Sequence, residues 1–330
     1  LSNGSPGFSE SPWKKRKTFC NQISINLLIL LSLKFQRKLK YLLKMKTKIG
    51  WIGLGKMGTP MSLRLIDAGY PVTVYNRTKG KEKTLTSKGA LVVSKLSDLM
   101  KQSDLIVIMV SDDSAVRDIF LGNNGLLNPG GIDGKIIINM STVSIGISIE
   151  MANLCRKSGN HYLDAPVSGS VKQAECGQLV VMVGGEESIF NQAKPVLDIL
   201  GKLAIHVGET GSGNTMKLAV NLLLGIISQG LSEAVIFIKN KGLRVSDLLN
   251  VVQNSAIGSV YMKIKGDAIL QDNYQAAFAL KHIVKDLKLA KDAGLNTPLG
   301  ETALESFQKA ESKFAEEDII AIIKAIEQTG

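Results

Sequence analysis

Ile49-Gly-Trp-Ile-Gly-Leu-Gly-Lys-Met-Gly58 is the stretch that decides the fold. Lys48 to Gly53 reads as a short apolar strand, and it runs into Gly53, Gly55 and Gly58 at G-x-G-x-x-G spacing. Downstream, Thr59 to Ala68 has helical periodicity, with Met61, Leu65 and Ala68 on one face and Gly69 as the stop. Val72 to Tyr75 is a second strand. Glycine spacing alone is a weak signal, but strand, glycine turn, helix and strand in succession form a phosphate-binding unit. Gly53 permits the tight turn, Gly55 lets backbone approach a pyrophosphate, and Gly58 lets helix and strand pack closely. The helix start presents N–H groups and the positive end of its dipole. Gly53, Leu54, Gly55, Lys56, Met57 and Gly58 are therefore candidate contacts to a dinucleotide.

Asn76-Arg77-Thr78 ends the second strand, where an NAD-binding unit commonly places Asp or Glu to hold the ribose 2′-hydroxyl. No carboxylate stands there to repel a 2′-phosphate, and the planar guanidinium of Arg77 can pair with one. The reading is NADP(H) in preference to NAD(H). Against it stands the plainer possibility that Arg77 is a solvated loop residue, with Asn76 accommodating NAD.

Alternation continues beyond this unit. Strands are predicted at 104–110, 135–139, 161–165, 178–184 and 203–207, and helices at 95–102, 114–120, 145–158 and 187–200. Strands separated by helix-length segments imply an α/β fold, a Rossmann-type, mainly parallel sheet with ligands beyond the carboxyl ends of its strands. Two strand ends fall there, Met109-Val110-Ser111 and Asn139-Met140-Ser141-Thr142. For Ser141 and Ser144, ordinary loop and helix-capping chemistry is the default.

Asp164-Ala-Pro-Val-Ser-Gly-Ser170 follows a strand; its Ser168, Gly169 and Ser170 offer N–H groups and hydroxyls suited to a small carboxylate, although a Ser/Gly turn is commonly just a turn. Gly211 to Lys217 opens a long helix reaching about Lys241, with apolar residues all around it, which predicts burial on most sides. Lys217 and Asn221 lie one turn apart on one face of that helix. A Lys and an Asn in so apolar a helix are costly unless they face a cleft or partners; the alternative is a lysine reaching out from the helix end. Lys285-Asp286 sits in an amphipathic helix, where an exposed ion pair is the default.

Composition narrows the classes. The 330 residues are 45% hydrophobic with 32 Gly and 8 Pro, a globular chain rather than a low-complexity one. Cys20, Cys155 and Cys176 are too scattered for a disulfide framework or a CxxC zinc site, and His161, His206 and His282 form no metal motif. The net charge of +11 sits almost wholly in residues 1–48, which hold eleven Lys and Arg against the single acid Glu10. The remainder is close to neutral, so no nucleic-acid partner is expected of the folded part. Residues 1–44 are set apart as a non-globular extension. Their apolar stretch, Ile23 to Leu33, is too short to cross a bilayer, so no membrane is expected. They read either as a targeting segment, implying mitochondrial delivery, or as an extension ahead of a start at Met45 in a cytoplasmic protein.

Taken together, IGWIGLGKMG (49–58), NMST (139–142), DAPVSGS (164–170), GSGNTMKLAVN (211–221) and KDLKLA (285–290) resemble the β-hydroxyacid dehydrogenase family in order and spacing over about residues 46–330. The resemblance implies a Rossmann-type dinucleotide domain over 45–209 and an all-helical C-terminal domain over 210–330, with homodimers or homotetramers formed through the long helix. It implies that Lys217 is catalytic, that Asn221 helps hold substrate and lysine, and that Ser168 and Gly169 contact the substrate carboxylate. Met109, Val110, Thr142 and Lys285 would contact the cofactor, with Asp286 orienting Lys285. APVSGS and NRT are more like the glyoxylate/succinic semialdehyde reductases, implying an NADPH-dependent reductase of small semialdehydes or 2-oxo acids. Departures exist: Asn139 stands where the family has Asp, and Cys176 where it has an acid. The alternatives are NAD-dependent oxidation of 3-hydroxyisobutyrate, or a dinucleotide-binding scaffold without turnover.

Overall fold

Among the described residues, every strand that follows the glycine unit joins one sheet. The computed structural model describes residues 47–127 and 132–328, so the extension over 1–44 lies outside the described residues. The order along the chain is β1 (Ile49–Ile52), α1 (Gly58–Asp67), β2 (Val72–Tyr75), α2 (Lys83–Thr86), β3 (Leu91–Val92), α3 (Leu96–Gln102) and β4 (Leu105–Ile108). Then come α4 (Asp113–Leu121), β5 (Ile136–Asn139), α5 (Ile145–Lys157), β6 (His161–Asp164), β7 (Val167–Ser168), α6 (Val171–Glu175), β8 (Leu179–Gly184), α7 (Glu187–Leu200) and β9 (Gly201–Gly208). The rest is helical: α8 (Ser212–Asn240), α9 (Val245–Gln253), α10 (Val260–Leu270), α11 (Leu280–Asp292), α12 (Pro298–Phe314), a 3₁₀ turn at Ile319–Ala321 and α13 (Ile322–Glu327).

The sheet runs β3-β2-β1-β4-β5-β6-β8-β7, with β9 paired to β8. All pairings are parallel except β6 with β8 and β7 with β8. Alternation explains the two layers. On β1, Trp51 enters the core on one face and Ile52 the core on the other; on β4, Val107 and Ile108 divide the same way. After β1 the chain first adds strands on one side, and from β4 onward it adds them on the other. The crevice beyond the carboxyl ends of β1 and β4 is therefore where a doubly wound sheet receives its ligand. Gly53 to Gly58 and Met109-Val110 sit at those ends. A third core, around Leu280, Phe307 and Ile322, holds the C-terminal helices together.

The structure adds elements that periodicity passed over, namely α2, β3, β7 and α6, each five residues or fewer. It also corrects the long helix. Burial on most sides was expected of α8; instead a stripe is buried, through Gly213, Asn214, Lys217, Leu218, Asn221, Gly225, Ser228, Leu231, Ser232 and Val235. Met216, Val220, Leu223 and Phe237 are 38–61% exposed on the remainder. One chain covers one side of a helix that is apolar on several. Although α8 is long and apolar enough to cross a membrane, the polar groups on its buried stripe mark it as an internal seam of the protein.

Candidate active site

The glycine turn has the shape that its sequence implied. Gly53 adopts φ +97°, and a β-carbon there would lie 2.1 Å from the Met109 carbonyl oxygen. A β-carbon on Gly58 would lie 2.0 Å from the Gly53 oxygen. At Gly55, by contrast, a β-carbon meets nothing within 4 Å. Two glycines thus allow turn, strand and helix to touch, while the third faces open space. No side chain caps α1, and its first turn holds no acid, so its positive end remains available to an anion. This cradle fits a pyrophosphate. The Leu54 N–H donates to Asn76 Oδ1 at 2.8 Å, and Asn76 Nδ2 donates to the Thr78 carbonyl at 2.6 Å. Asn76 therefore pins the turn to the end of β2. Arg77 and Thr78 are exposed, and among the described residues no carboxylate pairs with Arg77.

Lys217 is 8% exposed, and its ammonium donates to Asn221 Oδ1 at 3.0 Å. Asn221 Nδ2 donates in turn to Asp286 Oδ2 at 2.5 Å. Since the amide NH₂ must face the carboxylate, the amide oxygen must face the lysine. Burial pulls the Lys217 pKa down to about 8, with Asp286 opposing the fall and the Lys285 charge adding to it. Lys285 Nζ lies 3.2 Å from Asp286 Oδ1 and donates to the Thr142 carbonyl at 2.5 Å and the Ser111 carbonyl at 3.3 Å. The Lys285-Asp286 pair is thus not the exposed ion pair that amphipathic spacing suggested. Asp286 is 2% exposed, because α11 packs that edge against α8.

The start of α8 is fixed from a distance. Gly211, its capping position, adopts φ +94° and offers no side chain. Asp164, at the end of β6, takes over: its Oδ1 accepts from the Gly211 N–H at 2.7 Å and its Oδ2 from the Asn214 N–H at 2.9 Å. Burial pushes the Asp164 carboxyl up, and these N–H donors pull it back. Asn214 Oδ1 accepts from the Val143 N–H, and its Nδ2 donates to Ser148 Oγ, both at 3.1 Å. Asn139 Oδ1 accepts from the Ser141 N–H, and Ser141 Oγ accepts from the Val110 N–H at 2.9 Å. Asn139 thus anchors its loop as a neutral amide. Ser144 caps α5 through the Ile147 N–H.

Two family models match the chain: one described as the NAD binding domain of 6-phosphogluconate dehydrogenase, over 48–208, and one as the NAD-binding region of NADP-dependent 3-hydroxyisobutyrate dehydrogenase, over 211–326. Glyoxylate/succinic semialdehyde reductase 2, chloroplastic, of Arabidopsis thaliana is 36% identical over 283 residues, covering 84% of this chain and 79% of that protein. Glyoxylate/succinic semialdehyde reductase 1 of the same plant is 34% identical, covering 84% of this chain and 98% of its own. The chain belongs to the β-hydroxyacid dehydrogenase family. Its fold matches a Mycobacterium tuberculosis 3-hydroxyisobutyrate dehydrogenase solved with L-serine, at TM-score 0.79 and 28% identity, covering 86% of this chain and 99% of that one.

This β-hydroxyacid dehydrogenase is accordingly an NAD(P)-dependent oxidoreductase of CH–OH groups. Among its candidate residues, hydrogen bonds and the ion contact join Lys217, Asn221, Asp286, Lys285 and Thr142 into one chain of contacts. Met109 and Val110 abut the glycine turn. Ser168 pairs with Val180, Gly169 adopts φ +135°, and the Ser170 hydroxyl engages Gln173; among the described residues none of the three is hydrogen-bonded to the lysine chain. Sequence reasoning gave no role to Asp164 or Asn214. A long helix opening on Gly-Ser-Gly without its own cap is the signal that a partner elsewhere must satisfy its first N–H groups.

Proposed function

We propose that this dehydrogenase works as an NADPH-dependent reductase of a small semialdehyde or 2-oxo acid, with Lys217 as the proton donor. One observation carries the reading: a lysine buried on α8 whose amine is tethered by Asn221 and, through it, by Asp286. When held by Gly53 to Gly58, a dihydronicotinamide dinucleotide would supply the hydride for the carbonyl carbon. Lys217 supplies positive potential and a proton to the oxygen on which charge develops. With its pKa near 8, the amine exchanges that proton near neutral pH. In the reverse direction, neutral Lys217 accepts the alcohol proton. Asn221 keeps the amine aimed, and Asp286 keeps Asn221 from turning over.

The division of labour follows the chain, with 45–209 holding the dinucleotide and 210–330 closing over the substrate. Gly53 to Gly58 hold the pyrophosphate, and Met109, Val110, Thr142 and Lys285 flank the nicotinamide half. Ser168, Gly169 and Ser170 take the substrate carboxylate. The exposed apolar face of α8, with Met216, Val220, Leu223 and Phe237, is the surface we assign to a second copy of the chain.

The preference for NADPH rests on Arg77, an exposed guanidinium that no carboxylate pairs with among the described residues. Arg77→Ala is expected to weaken NADPH about tenfold to a hundredfold, since a charge-assisted bidentate contact to the 2′-phosphate is lost, and to leave NADH nearly unchanged. Equal weakening of both dinucleotides, measured by titration, would overturn the assignment. The activity itself is tested with the full chain and NADPH or NADH against glyoxylate, succinic semialdehyde and methylmalonate semialdehyde. Oxidation of NADPH by the first two supports the proposal. No turnover with any of the three would overturn it.

A further inference from the structure

A single peptide group at the carboxyl edge of the sheet is gripped from both ends. The N–H of the Thr142–Val143 peptide donates to Asn214 Oδ1 at 3.1 Å, and its C=O accepts from Lys285 Nζ at 2.5 Å. Asn214 lies on α8 and Lys285 on α11. The contacts continue from Lys285 to Asp286, from Asp286 to Asn221 and from Asn221 to Lys217. Asn214 stands three residues before Lys217 on the same buried stripe, so the circuit closes through one turn of helix. We propose that Asn214 is a positioning residue for the Lys217 proton donor, setting the place of α8 against the strand end that carries Thr142.

The proposal rests on the reading of Lys217 as the acid and deepens it. Physical reasons favour Asn214 over the other groups in the circuit. Lys217 reaches its site on a flexible four-carbon stem, and the Asn221 tether fixes only its tip. The base of that stem is set by the backbone of α8, and Asn214 ties this backbone to the sheet with a short side chain. Asn214 is fully buried, and its Oδ1, its Nδ2 and its own N–H each have a partner: Val143, Ser148 and Asp164. The peptide it holds is polarised from the opposite end by a lysine ammonium, which strengthens its N–H as a donor. Displacement of about 1 Å at such a site lowers turnover up to about a hundredfold.

The test compares Asn214→Ala, Ser148→Ala and Lys217→Ala in the full chain, with NADPH and the best carbonyl substrate. Asn214→Ala is expected to lower kcat about tenfold to a hundredfold, with a smaller change in KM and NADPH affinity held within about threefold. The limb of the kcat–pH profile near pH 8 should also move up, because a loosened amine meets more water. Ser148→Ala removes the partner of Nδ2 together with the hydroxyl's own bond to the Ser144 carbonyl, but leaves the Val143 contact to Oδ1 in place, so it should lower the melting temperature while keeping kcat and the limb unchanged. Should Asn214→Ala not fold, Asn214→Ser, which leaves a hydroxyl too short for Val143, is expected to show the same kcat loss. Asn214→Ala or Asn214→Ser at full kcat with Lys217→Ala inactive overturns the positioning role alone. An equal loss in Ser148→Ala overturns it too, since general loosening would then explain the effect. Lys217→Ala at full kcat overturns the acid assignment and this proposal with it.

Discussion

Lys217→Met is expected to lower kcat by about 10²–10⁴ in either direction, the contribution of a positioned acid or base, while NADPH binds nearly as before. In the unaltered enzyme, the pKa near 8 sets the signs. Reduction needs the ammonium, so its kcat falls as pH rises through about 8; oxidation needs the neutral amine, so its kcat rises across the same range. Stability moves as well. Between pH 8 and the model-peptide value of 10.5, the unfolded chain holds a proton on Lys217 that the folded chain has released. Stability of the unaltered enzyme therefore rises with pH through this window. Below it, keeping the ammonium buried costs about 3 kcal/mol. Lys217→Met removes this cost, so urea unfolding should show the variant's advantage over the unaltered enzyme to be larger at pH 7 than at pH 10. An advantage that does not change with pH would place the amine in water and defeat the assignment.

The second large effect lies in the glycine turn, where neighbouring substitutions should fail in opposite ways. Gly58→Ala drives a methyl to 2.0 Å from the Gly53 carbonyl oxygen, a backbone atom that cannot swing aside. Turn and helix must separate, at a cost of about 3 kcal/mol, and the cradle is lost with them. Gly55→Ala meets nothing in the protein. Its stability should stay within about 0.5 kcal/mol of the original. Its dinucleotide affinity should nonetheless fall at least about tenfold, because the methyl stands where the pyrophosphate must approach. Thermal unfolding and dinucleotide titration on both variants check the contrast. Unchanged affinity in Gly55→Ala would remove the pyrophosphate from this turn.

The contrast also shows what a sequence can disclose. Gly53, Gly55 and Gly58 carry their meaning in spacing, because strand, turn and helix are contiguous. The main strands β1, β2, β4, β5, β6 and β8 were legible for a similar reason, as short apolar runs bounded by turn residues. The helix α8 was found, but its exposure was not, since apolar periodicity registers hydrophobicity without saying what covers it. Lys217 and Asn221 announced themselves as polar residues one turn apart in an apolar stretch. Asp286 did not, because amphipathic spacing cannot distinguish a surface carboxylate from one pressed between two helices. The residue that joins it to Lys217 is 65 positions away in sequence. Asn214 and Asp164 were least legible of all. Their partners lie on different elements, 71 and 50 residues distant at the widest, and the uncapped start of α8 signals only that its N–H groups need a partner, not which residue supplies it.

The carboxylate at the end of β6 also bears on how the chain can be recombined. A truncation after residue 209 would strand Asp164 in the interior without the Gly211 and Asn214 donors that now offset its burial. The complementary piece would begin with a helix whose opening turn has nothing to hold it. The halves are therefore poor interchangeable cassettes despite their different architectures. Chimeras built to redirect substrate choice should inherit β6 and α8 from the same parent.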